Sequence, residues 1–241
     1  MQKEVLEKRR YILGDEHPDT ISAINNLANT LGDLGQLNEA AKMEKEVIEK
    51  RRRILGDEHP DTISAISNHA VTLGEMGQLN EAAKMKKEVL EKRRRILSDE
   101  HPDTITAMNN LACSLRDLGQ LGEAAKMQKE VIEKRRRILS DEHPDTILGM
   151  SNLAFTLGKL GHFDEAIALV GAAEEKARRV CGDQHPYTKE VVHNLARLRT
   201  GKDRITTQHD DKTSSSTETK RGHSLYARIR RKLYKGSRFQ N

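Results

Sequence analysis

Apolar residues return along this chain in a helical rhythm. Between Pro18 and Gly35, Ile21, Ile24, Leu27, Ala28, Leu31 and Leu34 fall at steps of three, four and seven, which is one face of an α-helix. Pro18 suits the first helical position, where an N–H has no partner anyway. Asp19 adds negative charge at the positive end of the helix dipole. Gly35 supplies the left-handed residue that ends such a helix. A second stripe, Ala40, Met43, Val47 and Ile54, opens at Asn38, a favoured N-cap type. The equivalent Asn80, Gly122 and Asp164 all tolerate that role. Glu46 with Lys50 and Glu49 with Arg53 are spaced i,i+4 in the favourable order. Lys50, Arg51, Arg52 and Arg53 complement the negative end of the dipole. The pattern predicts two antiparallel helices of about 17 residues, each roughly 26 Å long, joined by short turns.

This pair recurs. His-Pro-Asp-Thr occupies 17–20, 59–62, 101–104 and 143–146, and His185-Pro186-Tyr187-Thr188 keeps the same 42-residue spacing. A fixed period of this size predicts a repeat array, in which each unit buries its apolar face against its neighbours. Small residues recur where helices must approach closely: Ala28, Ala70, Ala112, Ala154 and Ala196 in one series, Ala40, Ala82, Ala124 and Ala166 in the other.

Small-residue pairs in a helix-turn-helix unit, with Leu27 and Leu31 nearby, resemble the tetratricopeptide repeat. The 42-residue period, the Leu-Gly-Asp-Glu-His-Pro-Asp-Thr linker and the Asn-Asn-Leu-Ala run resemble arrays of the kinesin light chain type more specifically. The resemblance covers about residues 1 to 199. It implies an all-α fold, a right-handed α-solenoid of tetratricopeptide-like helix pairs, with a concave surface that binds a peptide or a partner's helix.

The ends differ in kind. Residues 1–13 match 43–55 in register, so the chain opens inside a second helix, and the expectation is an array cut at its N-terminus. Residues 14–199 form four helix pairs and a capping helix, in which Arg199 replaces the leucine of Leu31, Leu73, Leu115 and Leu157. Residues 200–223 read as a disordered linker, too poor in apolar groups to order themselves. Residues 224–241 read as a basic amphipathic tail, with Leu225, Ile229 and Leu233 on one face.

Composition sharpens this picture. Aromatic residues make up 3% of the 241 and tryptophan is absent, which suits thin helix layers better than one large core. The first 200 residues carry 31 basic and 33 acidic side chains and the last 41 carry 11 and 4, so the net +5 belongs to the tail. A nearly neutral array argues against a nucleic-acid sleeve. No stretch approaches the 18 or so apolar residues of a membrane span, and the N-terminus lacks a leader's apolar run. Cys113 and Cys181 belong to no metal or redox spacing, which points to a reducing, cytoplasmic compartment.

Candidate chemistry is sparse. Asp-Glu-His-Pro-Asp offers one histidine per repeat in a helix-starting turn, so no metal cluster converges. Phosphate-binding, nucleophile-elbow and zinc-protease motifs are absent from the sequence. No catalytic residue, metal or cofactor is expected. The Lys-Arg-Arg-Arg runs read as a solvated outer face.

Differences between repeats point elsewhere. They concentrate on the first-helix positions of Ser22, Asn25, Asn29, Gly32 and Asp33, the face that lines the inner groove of such arrays. Asn29 becomes Val71, Cys113 and Phe155. Asn26, Asn68, Asn110, Asn152 and Asn194 do not change. Asparagine lowers helix propensity, so its repetition needs a reason. Two stand open: the resemblance implies a grip on the backbone of an extended peptide, and an amide also suits a hydrogen bond between adjacent repeats. Asp33, Glu75 and Asp117 make the groove edge acidic, against Arg116 and Lys159. That favours a neutral or basic ligand over an acidic one.

The expected function is a non-enzymatic protein-protein interaction scaffold. In a second reading the basic tail anchors the array to an anionic membrane or nucleic acid. In a third the chain is a fragment of a larger signalling ATPase or motor adaptor. The tail is also a candidate ligand for the acidic edge of its own array.

Overall fold

The computed structural model describes residues 2–210, with side chains to residue 202. Ten α-helices and no strands occur among these residues: α1 (Gln2–Leu13), α2 (Pro18–Asp33), α3 (Leu37–Leu55), α4 (Pro60–Glu75), α5 (Leu79–Leu97), α6 (Pro102–Asp117), α7 (Leu121–Leu139), α8 (Pro144–Lys159), α9 (Phe163–Cys181) and α10 (Pro186–Asp210). Two compact units divide between Ile96 and Leu97. In the first, α1 packs on α2, α2 on α3 and α3 on α4; in the second, α6 to α10 pack in the same sequential way.

The first-helix stripe is buried as its spacing predicts. Ile21, Ile24, Leu27, Ala28 and Leu31 are closed to solvent, as are Ile147, Met150, Leu153, Ala154 and Leu157 in α8. Leu34 departs from the expectation at 68% exposed, because it lies beyond the last turn, at the C-cap. The second-helix stripe is shifted. Ile54 is 41% exposed, and α3 instead buries Ala40, Glu44, Val47, Ile48 and Arg51. Ala28, Ala70, Ala112 and Ala154 are wholly buried, whereas Ala196 is exposed on α10.

Both kinds of helix start differ from the simplest reading. Each first helix is capped by the repeated histidine. Nδ1 of His17, His59, His101 and His143 accepts the N–H of Asp19, Asp61, Asp103 and Asp145 at 3.1–3.2 Å. His185 does the same for Tyr187 at 3.2 Å. The second helices do not start at Asn38 or its equivalents. Their N-caps lie two residues earlier, at Gln36, Gln120 and His162, and make no side-chain cap bond. The preceding turn explains this. Gly35 adopts φ +79°, and the Gln36 N–H folds back onto the Leu31 carbonyl at 2.9 Å, so the backbone closes one helix as it opens the next.

The linkers latch neighbouring repeats together. Asp15 accepts from Arg10 at 2.8 Å and from Lys50 one repeat on, while Glu16 accepts from Arg53. Asp57 repeats the pattern with Arg52 and Lys92, and Asp141 with Arg136 and Lys176. In the third linker Glu100 takes Lys134 at 2.7 Å. Arg51 and Arg135 donate to the carbonyls of Asp61 and Asp145. The basic runs are therefore inter-repeat clamps and more than a solvated face. The bond to Lys50 holds the Asp15 carboxyl below the usual range, and the bond to Lys176 does so for Asp141.

At the far end, α10 runs on to Asp210, past the Arg199 boundary expected for the capping helix. The extension is tied to α9. Lys202 pairs with Asp164, and Gly201 lies against the Phe163 ring. Arg199 is exposed where its leucine equivalents are buried. The rest of the linker and the basic tail, 211–241, lie outside the described residues.

Candidate peptide-binding face

The expected site residues all lie on first helices, and the structure divides them by burial. The invariant asparagines have more than one environment. Asn26 is exposed and Asn68 half-buried, whereas Asn110, Asn152 and Asn194 are buried. In the second unit their task is visible. Asn152 Nδ2 donates to Asn109 Oδ1 at 3.2 Å, and Asn194 Nδ2 donates to Ser151 Oγ at 3.0 Å. Each bond joins a first helix to the first helix one repeat earlier. Of the two readings, the bridge between repeats is the one made at these positions. Asn152, 1% exposed, has its Oδ1 beneath neighbouring atoms rather than at the surface.

The variable positions spread similarly. Asn25 and Cys113 are buried, while Asn29, Val71 and Phe155 are half-buried. Asp33, Glu75 and Asp117 are half-buried at the helix ends. Asp117 is engaged by its neighbour, accepting from Arg116 Nε at 3.0 Å. The Phe155 ring has three cations around it: Arg116 at 5.1 Å from its centroid, Lys159 at 5.5 Å and Arg197 at 5.0 Å. Arg197 was missed as a site residue because it follows the last full repeat, yet a step of 42 residues places it in register with Phe155.

A second polar constellation is internal to the first unit. Glu44, on α3, is buried and accepts from Thr72 Oγ1 at 2.8 Å, with His69 Nδ1 at 3.2 Å. His69 stands where Leu27, Leu111 and Leu153 stand, and Glu44 where Lys86, Gln128 and Val170 stand. The two exchanges accompany each other, and both side chains are closed to solvent, Glu44 at 2% and His69 at 4% exposed. In the second unit the matching Gln128 is 1% exposed, and neither amide atom has a hydrogen-bond partner among the described residues. No group of three or more potential metal ligands occurs among the described residues.

Comparisons with known proteins agree with this geometry. The tetratricopeptide repeat family matches residues 20–61, 62–103, 104–145 and 146–187. A crystal structure of nearly identical TPR-like repeats from a kinesin light chain-like protein of Podosopora anserina is 21% identical with a TM-score of 0.65, over 93% of this chain and 99% of that one. A single-substitution form of that protein gives 0.66 at the same identity, over 92% and 98%. BtubC (BKLC) from P. vanneervenii is 16% identical with a TM-score of 0.69, over 90% and 93%. At these identities the likeness speaks for the fold. No curated protein matches the sequence. The fold is an α-solenoid of helix pairs, an architecture that generally serves as a protein-interaction scaffold. With four consecutive 42-residue matches over most of its length, the chain belongs to the tetratricopeptide repeat family.

Proposed function

We propose that the chain is a non-catalytic interaction module that holds an extended peptide or a partner's helix against its first-helix face. One observation carries this reading. The groups that join repeats recur from unit to unit, while the half-buried Asn29, Val71 and Phe155 share one register and differ. Side chains that only pack or clamp have no need to diverge there while the clamps stay fixed. In the first unit, Asp33 and Glu75 favour a neutral or basic segment, and the amides of the exposed Asn26 and the half-buried Asn68 suit a peptide backbone. A reducing compartment such as the cytoplasm suits the two free thiols, Cys113 and Cys181.

The test is selection of peptides from a random displayed library on the intact chain, followed by affinity measurement on an Asn29→Arg, Val71→Arg double variant. The reading expects selected peptides to lose at least about tenfold in affinity, about 1.4 kcal/mol, with little change in melting temperature. Peptides that bind the variant equally well, or that bind residues 201–241 alone, would remove the assignment.

A further inference from the structure

Four departures from the repeat converge in the second unit. Arg116 stands where Gly32, Gly74 and Gly158 stand. Lys159 replaces the acidic residue of Asp33, Glu75 and Asp117. Arg197 and Phe155 share the column of Asn29, Val71 and Cys113. These side chains come from α6, α8 and α10, and all three charges lie within 5.5 Å of the Phe155 centroid. In a chain of near-copies, substitutions at three separate registers that meet around one ring are poorly explained by drift at one surface position.

The three cations are not equally placed. Asp117 accepts from Nε and Nη2 of Arg116, which is 5% exposed, while Lys159 and Arg197 are exposed beside the ring. Partial desolvation, Arg116 and Arg197 together push the amine of the still exposed Lys159 below its usual range, while Asp117 opposes them. Packing does not require this arrangement. Asn152 with Asn109 and Asn194 with Ser151 already join α6, α8 and α10.

We propose that Lys159 and Arg197, the two exposed cations beside Phe155, bind the phosphate of a phosphorylated serine or threonine in an extended peptide, over the buried Arg116. The proposal deepens the peptide-binding reading and rests on it. A phosphomonoester carries about −1.5 to −2 charge at pH 7 and three strong acceptor oxygens, which matches the two exposed cations, Lys159 and Arg197. One aspartate or glutamate would cancel only half of their charge. Arginine forks suit tetrahedral oxyanions through paired N–H donors. Phe155 holds the guanidiniums by cation–π attraction before the ligand arrives.

The experiment uses the full chain at low salt and pH 7. Inorganic phosphate is titrated by phosphorus NMR. Three short Gly/Ala peptides carrying serine, phosphoserine or glutamate at one position are titrated by fluorescence polarisation. Lys159→Gln with Arg197→Gln alters two exposed side chains, and thermal melting checks that the fold survives. The expected result is binding of phosphate and of the phosphopeptide, each at least about tenfold weaker in the double variant at unchanged melting temperature. The serine and glutamate peptides should bind at least about tenfold more weakly than the phosphopeptide. Equal affinity for the phosphoserine and glutamate peptides overturns the proposal in favour of a general acidic-peptide site. Failure of phosphate to bind at all, or binding unchanged in the variant, overturns it outright. Phosphate binding that the variant abolishes, with a phosphopeptide no tighter than phosphate, keeps the anion site and discards the peptide-binding reading.

Discussion

Replacing Ser140 with glycine should stabilise the array, and the reciprocal Gly56→Ser should destabilise it by a similar amount. The same turn follows every second helix, and its first residue is Gly14, Gly56, Ser98, Ser140 or Gly182. Gly56 sits at φ 90°, ψ 165° and Ser140 at φ 98°, ψ 165°. That region belongs almost entirely to glycine, and holding another residue there costs on the order of 1–3 kcal/mol. Space is not the issue, since a Cβ added at Gly56 would meet nothing within 4 Å. The cost therefore lies in the backbone alone. Glycine gives back roughly 0.5–1 kcal/mol of it through the greater freedom of its unfolded chain. The net expectation is about 0.5–2 kcal/mol of stabilisation for Ser140→Gly. The backbone bond that closes the turn agrees in direction: it is 3.3 Å at Ser140 and 3.1 Å at Gly56. Urea titration followed by circular dichroism reads both variants. Opposite shifts of similar size support the argument; a neutral or destabilising Ser140→Gly refutes it.

Three further outcomes follow from the same geometry. Gln128→Met should raise stability by about 1–3 kcal/mol in thermal melting, because it removes a buried amide with no hydrogen-bond partner and keeps the volume; a loss would mean the amide is satisfied. His59→Ala should cost about 0.5–2 kcal/mol, the usual worth of an N-cap, and no change would show that Pro60 alone starts α4. Asp15 and Asp141 have folded-state values below their unfolded ones, so their latches contribute fully above the ordinary carboxylate range and fade as pH falls through the lower folded values. The stability difference between wild type and Lys176→Met should thus be constant down to about pH 5 and shrink below about pH 4; a difference that grows on acidification contradicts the assignment.

The period, the helix pairs and the close-contact alanines were legible because each follows from spacing and side-chain size. The histidine cap was not, because an imidazole acceptor is set by the ring's placement, and oxygen-bearing side chains are the usual caps. The latch was hidden for another reason. Asp15 and Lys50 lie 35 residues apart, so a local i,i+4 reading of the basic run finds Glu46 but cannot find the partner across the repeat. Ile54 was placed in the core by its spacing in the stripe, yet it is 41% exposed, and Glu44, Ile48 and Arg51 take buried places on α3. Of the candidate site, the variable column was visible by comparing copies. The different environments of Asn26 and Asn152 depend on what covers each helix, which spacing does not encode.

Hydrogen–deuterium exchange of the full chain, with and without a library-selected peptide, tests the central claim most directly. The account predicts ligand-dependent protection confined to first helices, led by the segments around Asn29, Val71 and Phe155, with the second helices α3, α5, α7 and α9 unchanged. Protection on the second helices or on residues 211–241, with the first helices unaffected, would contradict it.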